Sequence, residues 1–277
     1  MRISAISTCY NEEQIMPFFI DYYSSFCDEI IFFDGNSTDR THEIIKSNIG
    51  KTKCNIELRI NHSIGTCDGY NENILEKINF DRNLSLLYIR NNAWKHLFSR
   101  DLNDWVLVVD SDEFLYHRLG LRKKLEELKE KEVTLPTVQG FNMISDFYPE
   151  FNKGNFLCEQ IKSGFWSRHY SKNLVFDSKH ITDMNFHPGC HNSDPTGKVV
   201  TDNDPFTDNI KLLHYKYIDF NKFINKEQAK FNHLSDINKN SGWGTHYNTN
   251  KNLSLLQWRG FRENNFFENI NDATKAN

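Results

Sequence analysis

The feature that most constrains the fold is a pair of aspartates at the end of a short apolar run. Asp110 and Asp112 directly follow the aromatic and β-branched segment Trp105–Val109, which predicts a buried strand of an α/β sheet. Ligands of such sheets bind just beyond the carboxyl ends of the strands. Two carboxylates one residue apart can share one divalent cation with phosphate oxygens, so the segment predicts a metal and diphosphate site. An acidic surface turn is the alternative interpretation.

Length and composition narrow the class of protein. The 277 residues suffice for one large α/β domain with an elaboration. A formal net charge of −4 offers no basic face, so we expect no nucleic-acid partner. The six cysteines form no Cys-x-x-Cys pair, which favours reduced thiols. Without a signal peptide or an apolar stretch of about 18 residues, we expect a cytoplasmic protein, free or associated peripherally with the inner face of the membrane.

Strand-like and helix-like segments alternate through residues 1–115. The apolar patterns predict strands at 3–8, 29–33, 55–60 and 105–109, and helices at 17–26, 41–47 and 84–100. This alternation implies parallel βαβ units with right-handed crossovers. Residues 65–81 are polar and irregular, and we predict that they form a loop over the site.

The second half of the chain has a less regular pattern. We predict a charged, solvated helix at 121–131, strands at 140–144, 173–176 and 211–215, and helices from residue 219 onward. The sequence contains no internal repeat and no Pro-rich or Ser-rich linker. These features predict one compact unit with a C-terminal elaboration.

Three polar segments follow strands in a fixed order, at Thr8–Glu13, Asp34–Thr41 and Asp110–Glu113. Together they resemble the GT-A glycosyltransferases of family 2. Arg90–Ala93, about twenty residues before the Asp pair, resembles the Arg-Asn segment of those enzymes. The resemblance covers residues 1–115. It implies an α/β, GT-A type nucleotide-sugar-binding fold, with a mostly parallel central sheet flanked by helices and a helical C-terminal elaboration.

The resemblance also implies a division of the chain and an activity. The catalytic domain would span 1–218, with a nucleotide-binding half at 1–115 and an acceptor half at 116–218, and the elaboration would span 219–277. The implied reaction is an inverting hexosyl transfer from a nucleotide diphosphate sugar, with a UDP-sugar favoured, to a glycan hydroxyl. The cofactor would be Mn²⁺ or Mg²⁺. By analogy, the acceptor is a cell-surface polysaccharide or a lipid-linked oligosaccharide.

Residues at three strand ends are expected to bind the donor. A carboxylate can accept from a base N–H or a ribose hydroxyl, so Asp34 is predicted to meet the nucleoside. The other expected donor contacts are Thr8, Cys9, Tyr10, Asn11, Arg90 and Lys95. For Arg90 and Lys95, exposed surface charges are the alternative. Gly35 stands where many relatives carry a second acidic residue, which leaves the nucleobase open.

The resemblance assigns metal ligands as well. It implies that Asp110 approaches both the ribose and the metal, and that Asp112 ligates the metal directly. A histidine of the second half would complete the metal shell or the sugar pocket, because imidazole is a suitable ligand for manganese. We predict His214 as the metal ligand and His191 as a donor-pocket residue, whereas His187, before Pro188, is expected in a turn. A structural histidine is the alternative in each case.

An inverting transfer needs a general base near the acceptor hydroxyl. Asp146 and Glu113 are the predicted candidates, with Glu150 as a further carboxylate of the same segment as Asp146. Glu113 lies close to the Asp pair and could equally orient a loop.

Other functions fit parts of the pattern. A non-catalytic nucleotide- or glycan-binding module would keep the same donor residues. A sugar nucleotidylyltransferase would show a Gly-rich, Arg-containing loop after the first strand, and the segment Cys9–Glu13 lacks it. A phosphatase with an Asp-x-Asp nucleophile would place the pair on an early strand with Thr or Val where Phe114 stands.

Overall fold

The computed structural model describes residues 1–62, 66–67, 82–98, 102–232, 240, 258, 260 and 266–272. Its strands are β1 (Ile3–Cys9), β2 (Glu29–Asp34), β3 (Asn55–His62), β4 (Thr66–Cys67), β5 (Trp105–Asp110), β6 (Glu113–Tyr116), β7 (Val138–Ser145), β8 (Gly164–Trp166), β9 (Val175–Asp177), β10 (Ile181–Asp183), β11 (Thr196–Gly197), β12 (Ile210–Ile218) and β13 (Phe266–Phe267). Its α-helices are α1 (Met16–Ser24), α2 (Thr41–Asn48), α3 (Arg82–Leu97), α4 (Leu121–Glu130), α5 (Leu157–Gln160) and α6 (Phe220–Asn232).

The first sheet has the strand order β4-β3-β2-β1-β5-β9. β1 lies between β2 and β5, and all three run parallel, as do β2 and β3. The short strand β9 closes the other edge antiparallel to β5. In this register Thr8 is paired with Asp110, and Cys9 with Asp34. The polar segments that follow β1, β2 and β5 therefore meet at one edge of the sheet, which confirms the predicted mostly parallel α/β architecture.

A second sheet, ordered β13-β8-β7-β12-β6, lies beyond the Asp pair. β6 starts directly after Asp112 and runs antiparallel to β12, with Glu113 opposite His214. β12 is parallel to β7, and the carboxyl ends of these two strands lie together. This sheet brings a strand from residues 210–218 beside the Asp pair. The strands β6, β8, β10 and β11 had no counterpart among the predicted elements.

Aromatic side chains fill the space between the first sheet and α1. The helix starts with Pro17 in its first turn, where the missing N–H costs no hydrogen bond. Phe19 and Tyr23 are completely buried and pack against each other and against Phe114. Tyr23 Oη donates to the Glu113 carbonyl at 2.9 Å, so α1 also supports the start of β6.

Helix α4 differs from the solvated helix that its charges predicted. Leu121, Leu125 and Leu128 are buried in the core, as the 3.6-residue period requires, and Lys124 is buried with them. Among the described residues, no helix is long and apolar enough to cross a membrane. Most of the loop predicted at 65–81 and of the segment after α6 lies outside the described residues, so the domain division at 218 stays a prediction.

Candidate active site

The ends of β1 and β5 carry the first part of the site. Thr8 Oγ1 donates a hydrogen bond to Asp110 Oδ1 at 3.0 Å, and α3 brings the Arg90 guanidinium onto the same carboxylate oxygen. Burial by itself raises the pKa of Asp110, but the positive charges of Arg90 and Lys172 outweigh it, and the pKa is lowered. Asp110 is therefore a charged, oriented carboxylate at the predicted nucleotide edge.

The loops after β1 and β2 are tied together by backbone and side-chain hydrogen bonds. The Asn11 N–H donates to Ser37 Oγ at 2.9 Å, and the Thr38 N–H donates to Asn11 Oδ1 at 2.8 Å. Asn11 has a φ of 53°, a left-handed conformation that asparagine tolerates better than most residues. The two loops thus form one polar rim, with the half-buried Tyr10 on it.

Asp34 lies beneath this rim with its side chain completely buried. It accepts the Ser37 N–H at 3.2 Å, and His42 Nδ1 lies 3.4 Å from its carboxylate. Cys9 Sγ is 3.9 Å from Asp34 Oδ1, and burial raises the pKa of this thiol. Cys9 is therefore a buried, neutral residue below the predicted donor contacts.

Asp112 and His214 meet where β6 and β12 pair. His214 Nε2 lies 3.8 Å from Asp112 Oδ1, and the Tyr215 N–H donates to the Asp112 carbonyl at 2.8 Å. On the other side of the imidazole ring, Nδ1 donates to Asn142 Oδ1 at 2.9 Å. A proton on Nδ1 leaves the Nε2 lone pair directed at Asp112, which is the tautomer that a metal-binding histidine needs.

The Tyr170 ring covers His214. The two rings are stacked, with centroids 4.1 Å apart. Gly140 on β7 permits this arrangement, because a Cβ atom there would lie 2.1 Å from the Tyr170 backbone carbon. Asn142 and Gly140 thus fix His214 from the second sheet, and neither had been singled out from the sequence. An amide in an otherwise apolar strand was the available signal for Asn142.

Some of the side-chain atoms in this region are suitable ligands for a divalent cation. A carboxylate oxygen of Asp112 and an imidazole nitrogen of His214 are suitable ligand types for Mn²⁺, and their separation allows both to face one ion. Asp110 is instead engaged by Arg90. Within the described ranges, the only group of three residues with ligand atoms all within 4.8 Å is Glu127, Asp204 and Asp208, a group that surrounds Lys124.

Helix α6 contributes a lysine that the sequence did not indicate. Lys226 Nζ lies 2.6 Å from Glu12 Oε1 and 3.3 Å from Asp112 Oδ2. Burial by itself lowers the pKa of Lys226, but the two carboxylates outweigh it, and the pKa is raised. Burial raises the pKa of Tyr148, and the charges of Lys226, Glu12 and Asp112 also act on it, so the loop after β7 borders the same region.

Glu113 lies behind the Asp pair and is buried. Its Oε2 accepts the Asp110 N–H at 3.0 Å, and its Oε1 is 2.6 Å from Lys172 Nζ. Burial lowers the pKa of Lys172, but Glu113 and Asp110 outweigh it, so the ammonium stays charged. Glu113 therefore orients the turn between β5 and β6, one of the two roles that the sequence allowed.

The predicted donor-pocket residue His191 is surrounded by aromatic rings. His191 stacks on His169 with centroids 3.6 Å apart, and Tyr170 contacts both His191 and His214. Burial lowers the pKa of His191 to about 4, so its ring is neutral at pH 7. His191 thus belongs to an aromatic stack beside His214.

Two other predicted positions are engaged elsewhere. His187 stands just before the short 3₁₀ turn at Pro188–Cys190, and its Nε2 lies 2.8 Å from Asp194. Lys95 Nζ lies 2.6 Å from Asp183 on β10. Asp146 and Glu150 are exposed on the loop that follows β7. The structure thus joins Thr8, Arg90 and Asp110 in one contact network and Asp112 with His214 in another.

Comparison with known proteins gives one match of sequence. The sequence model of the family described as "Glycosyl transferase family 2" matches residues 4–190. No curated protein matches the chain with significant similarity. The matched region runs from β1 through the Asp pair to Cys190 and includes Arg90.

Three solved structures show distant similarity. S. aureus TarS is 14% identical with a TM-score of 0.38, over 95% of this chain and 44% of that one, so the chain spans less than half of its length. S. aureus TarS 1–349 in complex with UDP-GlcNAc is 13% identical with a TM-score of 0.37, over 95% and 72%. Core-mannan synthase A of Aspergillus fumigatus, in an Mn/GDP form, is 14% identical with a TM-score of 0.30, over 53% and 43%.

The family match covers about two thirds of the chain. It contains all three of the polar segments that follow β1, β2 and β5. The predicted resemblance and the predicted fold class are therefore confirmed. The chain belongs to glycosyl transferase family 2 and has the GT-A fold.

Proposed function

We propose that this glycosyltransferase moves a hexose from a nucleotide diphosphate donor to a glycan hydroxyl, with Mn²⁺ or Mg²⁺ held by Asp112 and His214. The observation that carries the proposal is the 3.8 Å separation of Asp112 Oδ1 and His214 Nε2 beside the nucleotide edge of the sheet. The hydrogen bond from His214 Nδ1 to Asn142 supports it, because it orients the ring so that Nε2 is the nitrogen facing Asp112. A bound divalent cation would neutralise the leaving diphosphate.

The donor would lie along the ends of β1, β2 and β5. Asp110, oriented by Thr8 and Arg90, is suited to accept from the ribose hydroxyls. The rim formed by Asn11 and the loop after β2 would hold the nucleobase. Tyr10 on the rim would contact the donor, and the buried Cys9 and Asp34 would shape the floor below it. Lys95, which pairs with Asp183, would line the side. A UDP-sugar is the donor that we favour.

The acceptor hydroxyl would lose its proton to Asp146, with inversion at the sugar carbon. Asp146 is exposed at the carboxyl end of β7, and its loop carries Tyr148 to the neighbourhood of Lys226. Glu113 is less suited to this role, because both of its carboxylate oxygens are already engaged. His191, in the stack beside His214, would line the sugar pocket.

We extend the proposal to the setting of the reaction. The acceptor would be a cell-surface polysaccharide or a lipid-linked oligosaccharide, elongated in the cytoplasm at the inner face of the membrane. The five cysteines whose state is described are free and buried, which is compatible with a reducing compartment. The domain division at residue 218 remains part of this proposal.

Thermal unfolding with a panel of nucleotides tests the donor and the metal together. UDP, GDP and their sugars are each added with Mn²⁺ or with excess chelator. We expect one nucleotide to raise the melting temperature only with Mn²⁺, since a ligand at 100 times its Kd adds about 2.7 kcal/mol to the stability. Equal stabilisation in chelator would contradict the metal assignment.

Turnover of the stabilising nucleotide sugar then separates an enzyme from a binding module. We expect release of the nucleoside diphosphate in the presence of acceptor glycans, and a product with inverted anomeric configuration by NMR. Binding without any release over a wide acceptor panel would favour the non-catalytic alternative.

A further inference from the structure

Lys226 joins the C-terminal helix to both acidic groups of the proposed donor site. Its ammonium is bound to both carboxylate oxygens of Glu12, at 2.6 and 2.9 Å, and to Asp112 Oδ2 at 3.3 Å. Glu12 belongs to the loop after β1, and Asp112 to the turn before β6. Lys226 itself lies on α6, beyond the region matched by the family.

The two oxygens of Asp112 face different partners. Oδ1 faces His214 Nε2, and Oδ2 faces the Lys226 ammonium. The side chains of Glu12 and Asp112 are only 13% and 11% exposed, so water screens their charges weakly. A positive charge therefore already sits at the carboxylate that would hold a divalent cation.

We propose that Lys226 is a positioning residue that acts as a built-in counter-ion of Asp112. It weakens divalent-cation binding in the donor-free enzyme and makes that binding depend on the nucleotide diphosphate. This inference rests on the proposed function, in which Asp112 and His214 hold the cation. Its physical basis is repulsion between the ammonium and a cation that share one carboxylate.

The negative charge of a diphosphate would remove this obstacle. An anion beside Lys226 offsets the repulsion, so the cation and the nucleotide bind more tightly together than apart. By linkage, each ligand must raise the affinity of the other by the same factor. A purely structural Lys226, which only fastens α6 to the loop after β1, would produce no such coupling between the ligands.

The test measures Mn²⁺ binding directly, by electron paramagnetic resonance of the free ion, with and without UDP. The variants are Lys226→Met, Lys226→Arg and the control Lys222→Met, one turn earlier on α6. Without nucleotide, we expect Lys226→Met to bind Mn²⁺ about tenfold more tightly than the wild type, because a nearby positive charge is gone. The coupling between UDP and Mn²⁺ should fall by the same factor. Lys226→Arg and Lys222→Met should match the wild type.

The outcomes distinguish the two proposals. If the wild type binds no Mn²⁺ with either UDP or GDP, the proposed metal site fails, and the inference fails with it. If the wild type binds Mn²⁺ with UDP but Lys226→Met gives the same or weaker nucleotide-free affinity, only the counter-ion role is overturned. Circular dichroism verifies folding, and if Lys226→Met does not fold, Lys226→Gln is held to the same criteria.

Discussion

Two of the described clusters that combine carboxylates with a lysine differ in what the lysine contacts. In the α4 cluster (Lys124, Glu127, Asp204 and Asp208), the fully buried Lys124 Nζ lies 2.7 Å from Asp204, 3.0 Å from Asp208 and 3.8 Å from Glu127. In the donor-site cluster (Glu12, Asp112, His214 and Lys226), to which the proposed function assigns the metal, the lysine meets one oxygen of Asp112, and the His214 imidazole faces the other.

Under the proposed function, the metal site is the cluster with fewer carboxylates. The α4 cluster has more of them, yet Lys124 occupies its centre, and Lys131 and Arg118 add further positive charge at its edge. Its three acidic groups therefore stabilise the fold around a buried ammonium. The donor-site cluster has fewer carboxylates, but it places an imidazole nitrogen beside a carboxylate oxygen.

The largest effect should follow from removing the charge of Asp112. We expect Asp112→Asn to lower turnover by about 10³-fold or more, because the amide has an oxygen atom but no charge to hold the cation. The matched change in the other cluster, Asp204→Asn, should leave turnover within about twofold. Assays with saturating Mn²⁺ measure both variants. Near-normal activity of Asp112→Asn would remove this residue from the metal site.

The α4 cluster should respond in stability instead. Lys124→Met leaves three close carboxylates without their central ammonium, and we expect a loss of about 3 kcal/mol in the free energy of unfolding. The exposed neighbour Lys123→Met is the control and should change stability by less than about 0.5 kcal/mol. Denaturant titration gives both values. Equal stability of the two variants would mean that the cluster does not stabilise the fold.

Histidine substitutions sharpen the assignment of the imidazole ligand. We expect His214→Ala to raise the Mn²⁺ concentration needed for half-maximal activity by about 10- to 100-fold. His187→Ala should leave it unchanged, since that ring pairs with Asp194. Mn²⁺ titrations of turnover compare them with His191→Ala. If only His191→Ala loses activity, the stacked rings of His169 and His191 belong to the site and His214 does not.

The smallest effect concerns acid stability. Burial by itself raises the pKa of Asp208, but hydrogen bonds from Lys124 and Arg118 outweigh it and lower the pKa to about 2. Because the folded pKa lies below the unfolded value of about 3.9, the stabilisation is complete above pH 4 and is lost as the pH falls from about 4 to 2. It should amount to about 2 kcal/mol. Between pH 4 and pH 2, the free energy of unfolding should fall less steeply with pH in Asp208→Asn than in the wild type. The same dependence on pH in both proteins would contradict the assignment.

The first half of the fold was predictable because its signals are local. Trp105–Val109 and the other apolar runs end at polar residues, and the alternation of strands with helices predicts that β1, β2 and β5 run parallel, as they do. The predicted strand at 3–8 and helix at 41–47 each correspond to an observed element within one residue at either end. Thr8, Arg90 and Asp110 come together for this reason.

The parts that escaped prediction depend on partners far along the chain. β6 starts at Glu113, the last residue of the polar segment Asp110–Glu113, which indicates a turn. It becomes a strand because β12 pairs with it. Lys124 and Lys226 stand in charged helices, a pattern typical of solvated faces. Only the packing shows that their ammonium groups turn inward toward carboxylates. Asn142 likewise has a visible role only once β7 lies beside β12.

The pairing of β6 with β12 also has a consequence for synthesis and refolding. The Tyr215 N–H and the Asp112 carbonyl are about 100 positions apart in the chain, so closing this contact carries the entropy cost of a long loop. A nascent chain exposes Asp112 long before residues 210–218 leave the ribosome. Until then, the nascent chain has the polar segments that follow β1, β2 and β5 but lacks the His214 imidazole. Added metal ions should consequently slow unfolding of the finished molecule without hastening the early steps of its folding.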